Sequence, residues 1–281
     1  MRSPDLASSK LNPLDDAEVL ERPRASLPFE GTRDMQQPQE PTDQVQITGS
    51  RHFRSWMAEC DVSLACTTYD SGRMLLLGRD DANQLTMSDW FANRCQGMWT
   101  DGKTIFLSAE NQIWRLSNVL RNHTLASRHD RLFFPRASYL TGNLDVHDLA
   151  PMNDGRLVFV NTLYSCLATI SHDDSFAPLW IPPPISRLVA EDRCHVNGVA
   201  MEHGVPAYVT SISQSDVAEG WRTHKRAGGC VFDVSSNEVI ATGLSMPHSP
   251  RAYRGDLWLV ESGTGFFGRV DRKRGRFAPI T

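Results

Sequence analysis

Short apolar segments separated by Gly, Asp, Asn and Pro dominate the chain from Trp56 onward. Each segment is roughly four to six residues long, the usual length of a strand, and none shows a sustained helical period. Many short strands at regular spacing are typical of an all-β fold. The pattern therefore predicts a chain of strands joined by tight turns.

Four of these segments resemble one another and recur at intervals of about 50 residues. They are Arg94–Met98, Asp145–Ala150, His195–Ala200 and Met246–Pro250. Each is followed by a glycine-containing turn and a second apolar strand, and an earlier unit around Ser71-Gly72 makes about five repeats. A hairpin in every repeat of this length predicts a β-propeller of four-stranded blades. Either five blades close a small ring, or the ring is larger and incomplete.

Composition divides the chain into two parts. Residues 1–50 contain six prolines, many acids and glutamines, and one aromatic residue, Phe29. Such a segment cannot bury enough apolar surface to offset the entropy of ordering it. We therefore predict a disordered arm over residues 1–50 and a propeller domain over residues 51–281.

Charge and composition exclude several classes of protein. A net charge of −4 argues against nonspecific nucleic-acid binding, and no apolar run is long enough to span a membrane. The N-terminal residues lack the apolar core of a signal peptide, which predicts a cytoplasmic location. The six cysteines form no C-x-x-C pair, and we expect four to be buried reduced thiols: Cys95, Cys166, Cys194 and Cys230.

Four motifs carry a resemblance to a known family. They are Leu144–Leu149, Glu191–Gly198, Gly220–Arg222 and Leu244–Arg251. From Phe53 to the C-terminus the chain resembles a bacterial family related to DUF4915. The resemblance implies a propeller-like domain and brings no established activity with it. Members of that family usually continue well past the position matching Thr281, so the resemblance leaves ring closure open.

The first strand of each blade is expected to line the central channel. The residues in register there are Gln96, His147, Asn197 and His248. Because successive strand residues point to opposite faces, Arg193 and His195 should share the face of Asn197, and Arg94 should share that of Gln96. The sequence therefore predicts a polar cluster at the channel.

This cluster could hold a metal. His147, His195 and His248 are the expected imidazole ligands, and Glu261 is the expected carboxylate. Three protein ligands leave a position for water or substrate. The hypothesis is a divalent metal, with zinc, iron, manganese and calcium as candidates.

Two other interpretations stay open. Without a metal, His147 or His248 could act as general base, while Arg193 or Arg94 holds an anionic substrate. Alternatively, the histidines are structural residues that bond neighbouring blades. The loop Ser213–Arg226 is expected to lie over the channel mouth and supply Trp221 or Arg222 to a ligand, because long loops often cover sites. Further ligand-binding candidates are Gln96, Arg94 and Asn197.

Two functions follow from these patterns. The first is an enzyme of hydrolase or lyase type that processes a small molecule at the channel mouth. The second is a non-catalytic propeller that holds a small-molecule, peptide or protein partner. Convergent histidines favour the first, and the predicted arm and the Trp221 loop suit the second equally well. We expect no nucleic-acid or membrane partner, and the sequence leaves the oligomeric state open.

Overall fold

A computed structural model of the chain describes residues 49–120 and 129–280. The all-β prediction is confirmed, because the short apolar segments form antiparallel sheets arranged as a five-bladed β-propeller. Of the predicted arm, residues 1–50, all but the last two lie outside the described residues. Among the described residues, no helix is long and apolar enough to cross a membrane.

The blades follow one another along the chain. A short helix, α1 (Phe53–Glu59), precedes them. Blade 1 consists of β1 (Leu64–Thr68), β2 (Arg73–Arg79) and β3 (Leu85–Phe91). Blade 2 consists of β4 (Met98–Thr100), β5 (Thr104–Ala109), β6 (Gln112–Asn118) and β7 (Phe133–Leu140). Blade 3 consists of β8 (Val146–Pro151), β9 (Leu157–Asn161), β10 (Cys166–Thr169) and β11 (Ala177–Trp180).

The last two blades complete the array. Blade 4 consists of β12 (Val196–Glu202), β13 (Val205–Ser211), β14 (Gly229–Asp233) and β15 (Val239–Leu244). Blade 5 consists of β16 (Pro247–Tyr253), β17 (Asp256–Glu261), β18 (Phe266–Asp271) and β19 (Arg276–Ile280). The first strands of blades 2 to 5 contact one another around the axis, so the predicted channel-lining strands are the inner ones.

In blade 1, the described residues contain three strands. The Thr67 hydroxyl at the end of β1 donates to the Gln96 carbonyl of blade 2. The second strands of blades 2 and 3 end in the same kind of bond to the next blade, from Ser108 and Thr162. Strand β1 therefore corresponds to a second strand, and the turn at Ser71-Gly72 joins second and third strands rather than first and second.

The hydrophobic core lies between the blades. Val158, Val160 and Leu167 of blade 3 pack in one cluster with Val199 and Val209 of blade 4, and all are buried. The next interface joins the opposite face of blade 4 to Leu257 and Leu259 of blade 5 in the same way. Burying such side chains contributes about 1.5–3 kcal/mol each, so the stacking of blades holds the fold together.

One buried carboxylate links three blades near the axis. Asp148 of blade 3 accepts the backbone N–H of Val199 in blade 4 at 3.1 Å. It also accepts hydrogen bonds from both terminal nitrogens of Arg251 in blade 5, at 2.7 and 3.1 Å. Backbones approach closely here, because a Cβ on Gly198 would lie 2.2 Å from Cδ of Pro250. The inner strands are therefore held by directed polar bonds as well as by apolar packing.

The prediction of four buried, reduced thiols is confirmed. Cys95, Cys166, Cys194 and Cys230 are buried and unpaired, whereas Cys60 and Cys66 are exposed. Burial raises the pKa of Cys166 to about 12 and that of Cys194 to about 11. These thiols therefore remain protonated and fill space between the sheets.

Candidate functional site

A left-handed residue precedes the inner strand of every complete blade. Arg94, Asp145, His195 and Met246 have φ values of 51°, 52°, 56° and 49°. Non-glycine residues rarely adopt this conformation, and residues that do so often cluster at functional sites. Its recurrence at one rim of the propeller means that the chain turns sharply into each inner strand.

The residues that follow lie in irregular sheet pairing. Val146 pairs with Asn161 and Leu149 with Phe159, so His147 and Asp148 together face one partner residue. Blade 4 has an extra residue at Asn197, and blade 5 shows the same kind of shift after His248. Such bulges redirect side chains away from simple alternation. Side chains at this rim therefore point where the bulge and the left-handed turn place them.

The three predicted histidines come together at this rim. The ring centres of His147 and His195 are 5.0 Å apart, with the rings nearly perpendicular. The ring centres of His147 and His248 are 6.5 Å apart. Each ring comes from a different blade, so the cluster exists only when blades 3, 4 and 5 are stacked.

Hydrogen bonds fix the protonation of the His147 ring. Its Nδ1 lies 3.0 Å from the backbone carbonyl of Asp145, an oxygen that can only accept. Nδ1 also lies 2.9 Å from the hydroxyl of Thr162, which donates its own hydrogen to the Val196 carbonyl. Nδ1 must therefore carry the proton, and in the neutral ring Nε2 is left with a free lone pair.

The other two rings are held in the same way. Nδ1 of His248 lies 2.8 Å from the Met246 carbonyl and 3.2 Å from the Ser262 hydroxyl. Nδ1 of His195 lies 2.9 and 3.0 Å from the two carboxylate oxygens of Asp192. These acceptors assign the Nδ1–H tautomer to a neutral ring, and in that form each of the three imidazoles has Nε2 free as an acceptor.

Burial keeps two of the rings neutral. Desolvation lowers the pKa of His147 below its ordinary value, although the nearby Asp145 carboxylate opposes this shift. Desolvation also lowers the pKa of His248, and the Met246 carbonyl opposes it. At neutral pH these two groups are therefore bases without a proton on Nε2.

The loop predicted to cover the channel does contact the cluster. A 3₁₀ helix, Gly220–Thr223, places the Trp221 ring 4.1 Å from the His195 ring. The indole Nε1 donates to Asp192 at 2.7 Å. Arg222 and Lys225 lie over the indole at 4.7 and 5.0 Å from the ring centre. Contact of Trp221 or Arg222 with a ligand stays a prediction.

Arg193 does not join the histidines. Its buried guanidinium pairs with Glu191 at 2.8 Å and with Asp216 of the loop at 2.5 Å. Its role in holding an anionic substrate stays a prediction, and the left-handed residue His195 interrupts the regular alternation assumed for it. The structure gives Arg193 the task of anchoring the loop 213–226.

Two predicted ligand-binding residues lie at the blade 2 side of the rim. The Gln96 amide donates to Asp145 at 2.8 Å. Arg94 bonds to the Tyr69 hydroxyl at 2.8 Å and lies 3.6 Å from Glu110. The recess between these groups measures 10 Å³, about the space that one water molecule needs. A ligand of larger size has to bind above them, so their role in binding stays a prediction.

The remaining predicted residues are engaged within their own blades. Asn197 accepts the Thr210 hydroxyl at 2.7 Å, while its buried Nδ2 has no partner among the described residues. Glu261 accepts the Ser245 N–H at 2.8 Å and the Thr264 hydroxyl at 2.7 Å. Both oxygens of Glu261 are thus used by blade 5, and its role as a metal ligand stays a prediction.

The geometry bears on the metal hypothesis. The centre of a coordinated imidazole lies about 3 Å from the metal, so two rings on one tetrahedral ion have centres about 5 Å apart. The pair His147 and His195 meets this spacing, whereas His147 and His248 exceed it at 6.5 Å. Across residues 49–120 and 129–280, no group of three His, Cys, Asp or Glu side chains is placed to hold a metal ion.

Sequence reasoning missed the residues that orient the rings. Asp192, Thr162 and Ser262 each contact a histidine Nδ1. Thr162 and Ser262 follow the ends of equivalent second strands, so their shared position in the repeat was a usable signal. Asp192 lies before blade 4 and is itself left-handed, a position that no strand pattern predicts.

A separate cleft of 580 Å³ lies between blades 1 and 2 and contains none of the candidate site residues. Its walls include residues of both positive and negative charge, among them Arg79, Asp80, Asp130 and Arg131. It lies beside the turn at Gly102, at the end of the inner strand opposite to the histidines.

The fold and the rim cluster define a β-propeller with a histidine site assembled from three blades. The chain belongs to the family described as domain of unknown function DUF4915, whose model matches residues 51–281. No curated protein sequence matches the chain significantly.

Several solved propeller structures are similar to this one. A catalytically inactive virginiamycin B lyase from Staphylococcus aureus, crystallised with quinupristin, is 13% identical with a TM-score of 0.46. That alignment covers 78% of this chain and 66% of the lyase, so the chain spans about two thirds of the lyase's length. A putative glucose dehydrogenase from a Thermus species is 13% identical with a TM-score of 0.42, covering 79% of this chain and 80% of that one. Likeness at this level carries no information about activity.

Proposed function

We propose that the chain is an enzyme of lyase or hydrolase type that acts on a small molecule through metal-free histidine bases. The observation that carries this proposal is the set of three rings anchored through Nδ1. Each ring then offers an Nε2 lone pair at one rim of the channel. A positioned imidazole that moves a proton typically accelerates a reaction about 10²–10⁴-fold.

His147 and His195 are the proposed acid–base residues. In an elimination, one Nε2 takes a proton from the carbon next to a carbonyl. The electron pair of that C–H bond forms a C=C bond, and the bond from the neighbouring carbon to the leaving group breaks. The imidazolium so formed can return its proton to the leaving group. In a hydrolysis, the same nitrogen takes a proton from the attacking water. The lowered pKa of His147 supports its neutral, proton-accepting form at neutral pH.

The test is a screen of esters, lactones and β-substituted carbonyl compounds, with purification that avoids chelators and nickel columns. His147→Gln and His195→Gln should each reduce turnover about 100-fold or more. The matched control is His172→Gln, which changes an exposed turn histidine and should keep full activity. Activity that survives His147→Gln refutes the proposal.

The same screen distinguishes metal-free histidine bases from a metal-centred site. For metal-free bases, elemental analysis should find far less than one equivalent of transition metal, and a chelator should leave turnover unchanged. Loss of turnover with a chelator and its return with zinc, iron, manganese or calcium would instead establish a metal-centred site.

A binding propeller is the second candidate, and the outer face of blade 5 favours it. Trp258, Val260 and Phe267 occupy the positions that Val158, Val160 and Leu167 hold in blade 3. The blade 3 residues are completely buried under blade 4, whereas Phe267 is 50% exposed. This face has the apolar pattern of a blade interface. Light scattering of the wild type and of Phe267→Asp tests whether this face of blade 5 binds a second copy of the chain.

A further inference from the structure

One carboxylate serves two donors at the rim. Asp192 accepts Nδ1–H of His195 and Nε1–H of Trp221. The two donors come from different segments, since His195 leads into blade 4 and Trp221 belongs to the loop 213–226. The carboxylate therefore joins the loop to the proposed base.

The backbone around Asp192 holds this carboxylate in place. Its N–H donates to the Leu163 carbonyl of blade 3 at 2.8 Å, and the residue itself is left-handed, with φ of 42°. The next residue, Arg193, ties the segment to Asp216 of the loop at 2.5 Å. The orientation of the carboxylate is thus set from both sides before any ligand binds.

We infer that Asp192 is a positioning residue that holds His195 in the Nδ1–H form, and that Trp221 competes with His195 for the same acceptor. This inference deepens the proposed function, because it explains why Nε2 of His195 is free to take a proton. Oδ2 of the carboxylate contacts both donors, at 2.9 Å from Nδ1 of His195 and 2.7 Å from Nε1 of Trp221, and Oδ1 is a second acceptor 3.0 Å from Nδ1 of His195.

The competition becomes visible when one of the two oxygens is replaced by a donor. In Asp192→Asn the side chain has one accepting oxygen and one NH₂ group. An indole can only donate, so Trp221 can use the oxygen alone. With the oxygen at the Oδ2 position, the NH₂ group takes the Oδ1 position, 3.0 Å from Nδ1 of His195, and the ring relieves the clash of two donors by moving its proton to Nε2. Nε2 of His195 would no longer be a base.

A second substitution should reverse this change. Trp221→Phe removes the indole N–H, so in the double variant the amide can turn its oxygen toward His195. The Nδ1–H form should then return. Trp221→Phe alone should leave the tautomer unchanged, because the carboxylate still accepts from His195. A residue that merely supports the fold would not produce this pattern of loss and recovery.

The experiment is ¹⁵N NMR of the imidazole nitrogens without any ligand, at a pH where the rings are neutral, with the His195 signals assigned from His195→Gln. We expect Nδ1–H in the wild type and in Trp221→Phe, mostly Nε2–H in Asp192→Asn, and mostly Nδ1–H in the double variant. An Nε2–H ring in the wild type, or an unchanged tautomer in Asp192→Asn, overturns the inference. If Asp192→Asn does not fold, the wild type and Trp221→Phe still decide, since Nε2–H in either contradicts it.

Turnover distinguishes this inference from the proposed function. If both hold, Asp192→Asn lowers kcat with KM largely kept, and the double variant recovers part of kcat. If the tautomers change as expected while turnover does not follow, Asp192 positions His195 but His195 is not the base.

Discussion

Removing the Arg251 side chain should destabilise the propeller far more than removing a matched arginine of the same blade. Arg251→Ala takes two charged hydrogen bonds from Asp148, whose side chain is only 6% exposed. The Asp148 carboxylate still accepts hydrogen bonds from the N–H groups of Leu149 and Val199, but it loses the positive charge of Arg251. It would remain buried in the centre of three blades.

The size of the effect follows from the burial of the two partners. Breaking a fully buried ion pair costs about 3–5 kcal/mol, and a hydrogen bond to a charged group is worth about 1.5–3 kcal/mol. The Arg251 side chain is 52% exposed, so water can approach from its side and replace part of the interaction. We therefore expect a loss of about 2 kcal/mol, which lowers Tm by about 4–8 °C in a domain of this size.

Arg269→Ala is the matched control. Arg269 is 51% exposed, almost the same as Arg251, and it also pairs with an aspartate, Asp256. That aspartate is 44% exposed, and exposed pairs contribute only about 0.2–1 kcal/mol. The guanidinium of Arg269 also lies 5.6 Å from the Trp258 ring centre, a contact worth about 0.5 kcal/mol at an exposed site.

The assay is urea and thermal unfolding followed by far-UV circular dichroism and tryptophan fluorescence, with coincident transitions as the condition for comparing free energies. The reasoning is refuted if both variants shift the midpoint equally, because the burial of the carboxylate would then be irrelevant.

Three further predictions concern the rim, the thiols and the blade contacts. Because burial lowers the folded-state pKa of His147 and His248, the unfolded chain binds protons first as the pH falls below about 6.5, and stability drops there. Between about pH 7.5 and 5.5, the Tm of the His147→Gln, His248→Gln double variant should fall less than that of the wild type. An equal fall in both would contradict the lowered pKa values of these two histidines. In a native thiol titration, only the exposed Cys60 and Cys66 should react, with the other four reacting after denaturation; fast reaction of a third thiol argues against the packing. Gly198→Ala should cost about 3 kcal/mol in chemical unfolding, because its Cβ would lie 2.2 Å from Pro250, whereas Gly78→Ala, at 3.3 Å from the Thr86 hydroxyl, should cost about 1 kcal/mol or less. Equal costs would mean that the ring of Pro250 yields easily.

The sequence predicted the propeller because apolar alternation and turn residues are local signals that repeat in every blade. The same signals placed His147 and His248 at equivalent positions of inner strands, and the structure brings their rings within 6.5 Å. His195 was predicted for the cluster on the assumption of a regular strand. It reaches the cluster instead through a left-handed turn.

The partners of the histidines could not be predicted in the same way. Asp192 lies outside any strand, and its contact with Trp221 spans 29 residues through a loop without periodicity. The ion pairs of Arg193 with Glu191 and Asp216 were not predictable either, because contacts with a loop leave no periodic signal. That β1 corresponds to a second strand was also not predictable, since one hairpin of short apolar strands looks like any other in a repeat.

The repeated entry into the inner strands has a consequence for how such a site can change. Gln96, His147, Asn197 and His248 follow left-handed residues of nearly the same φ, so four blades offer four similar backbone positions around one axis. A side chain that works at one position meets a comparable backbone at the next. The chemistry of the rim can therefore be altered one blade at a time, by exchanging residues between repeats of the same gene, without rebuilding the fold that supports it.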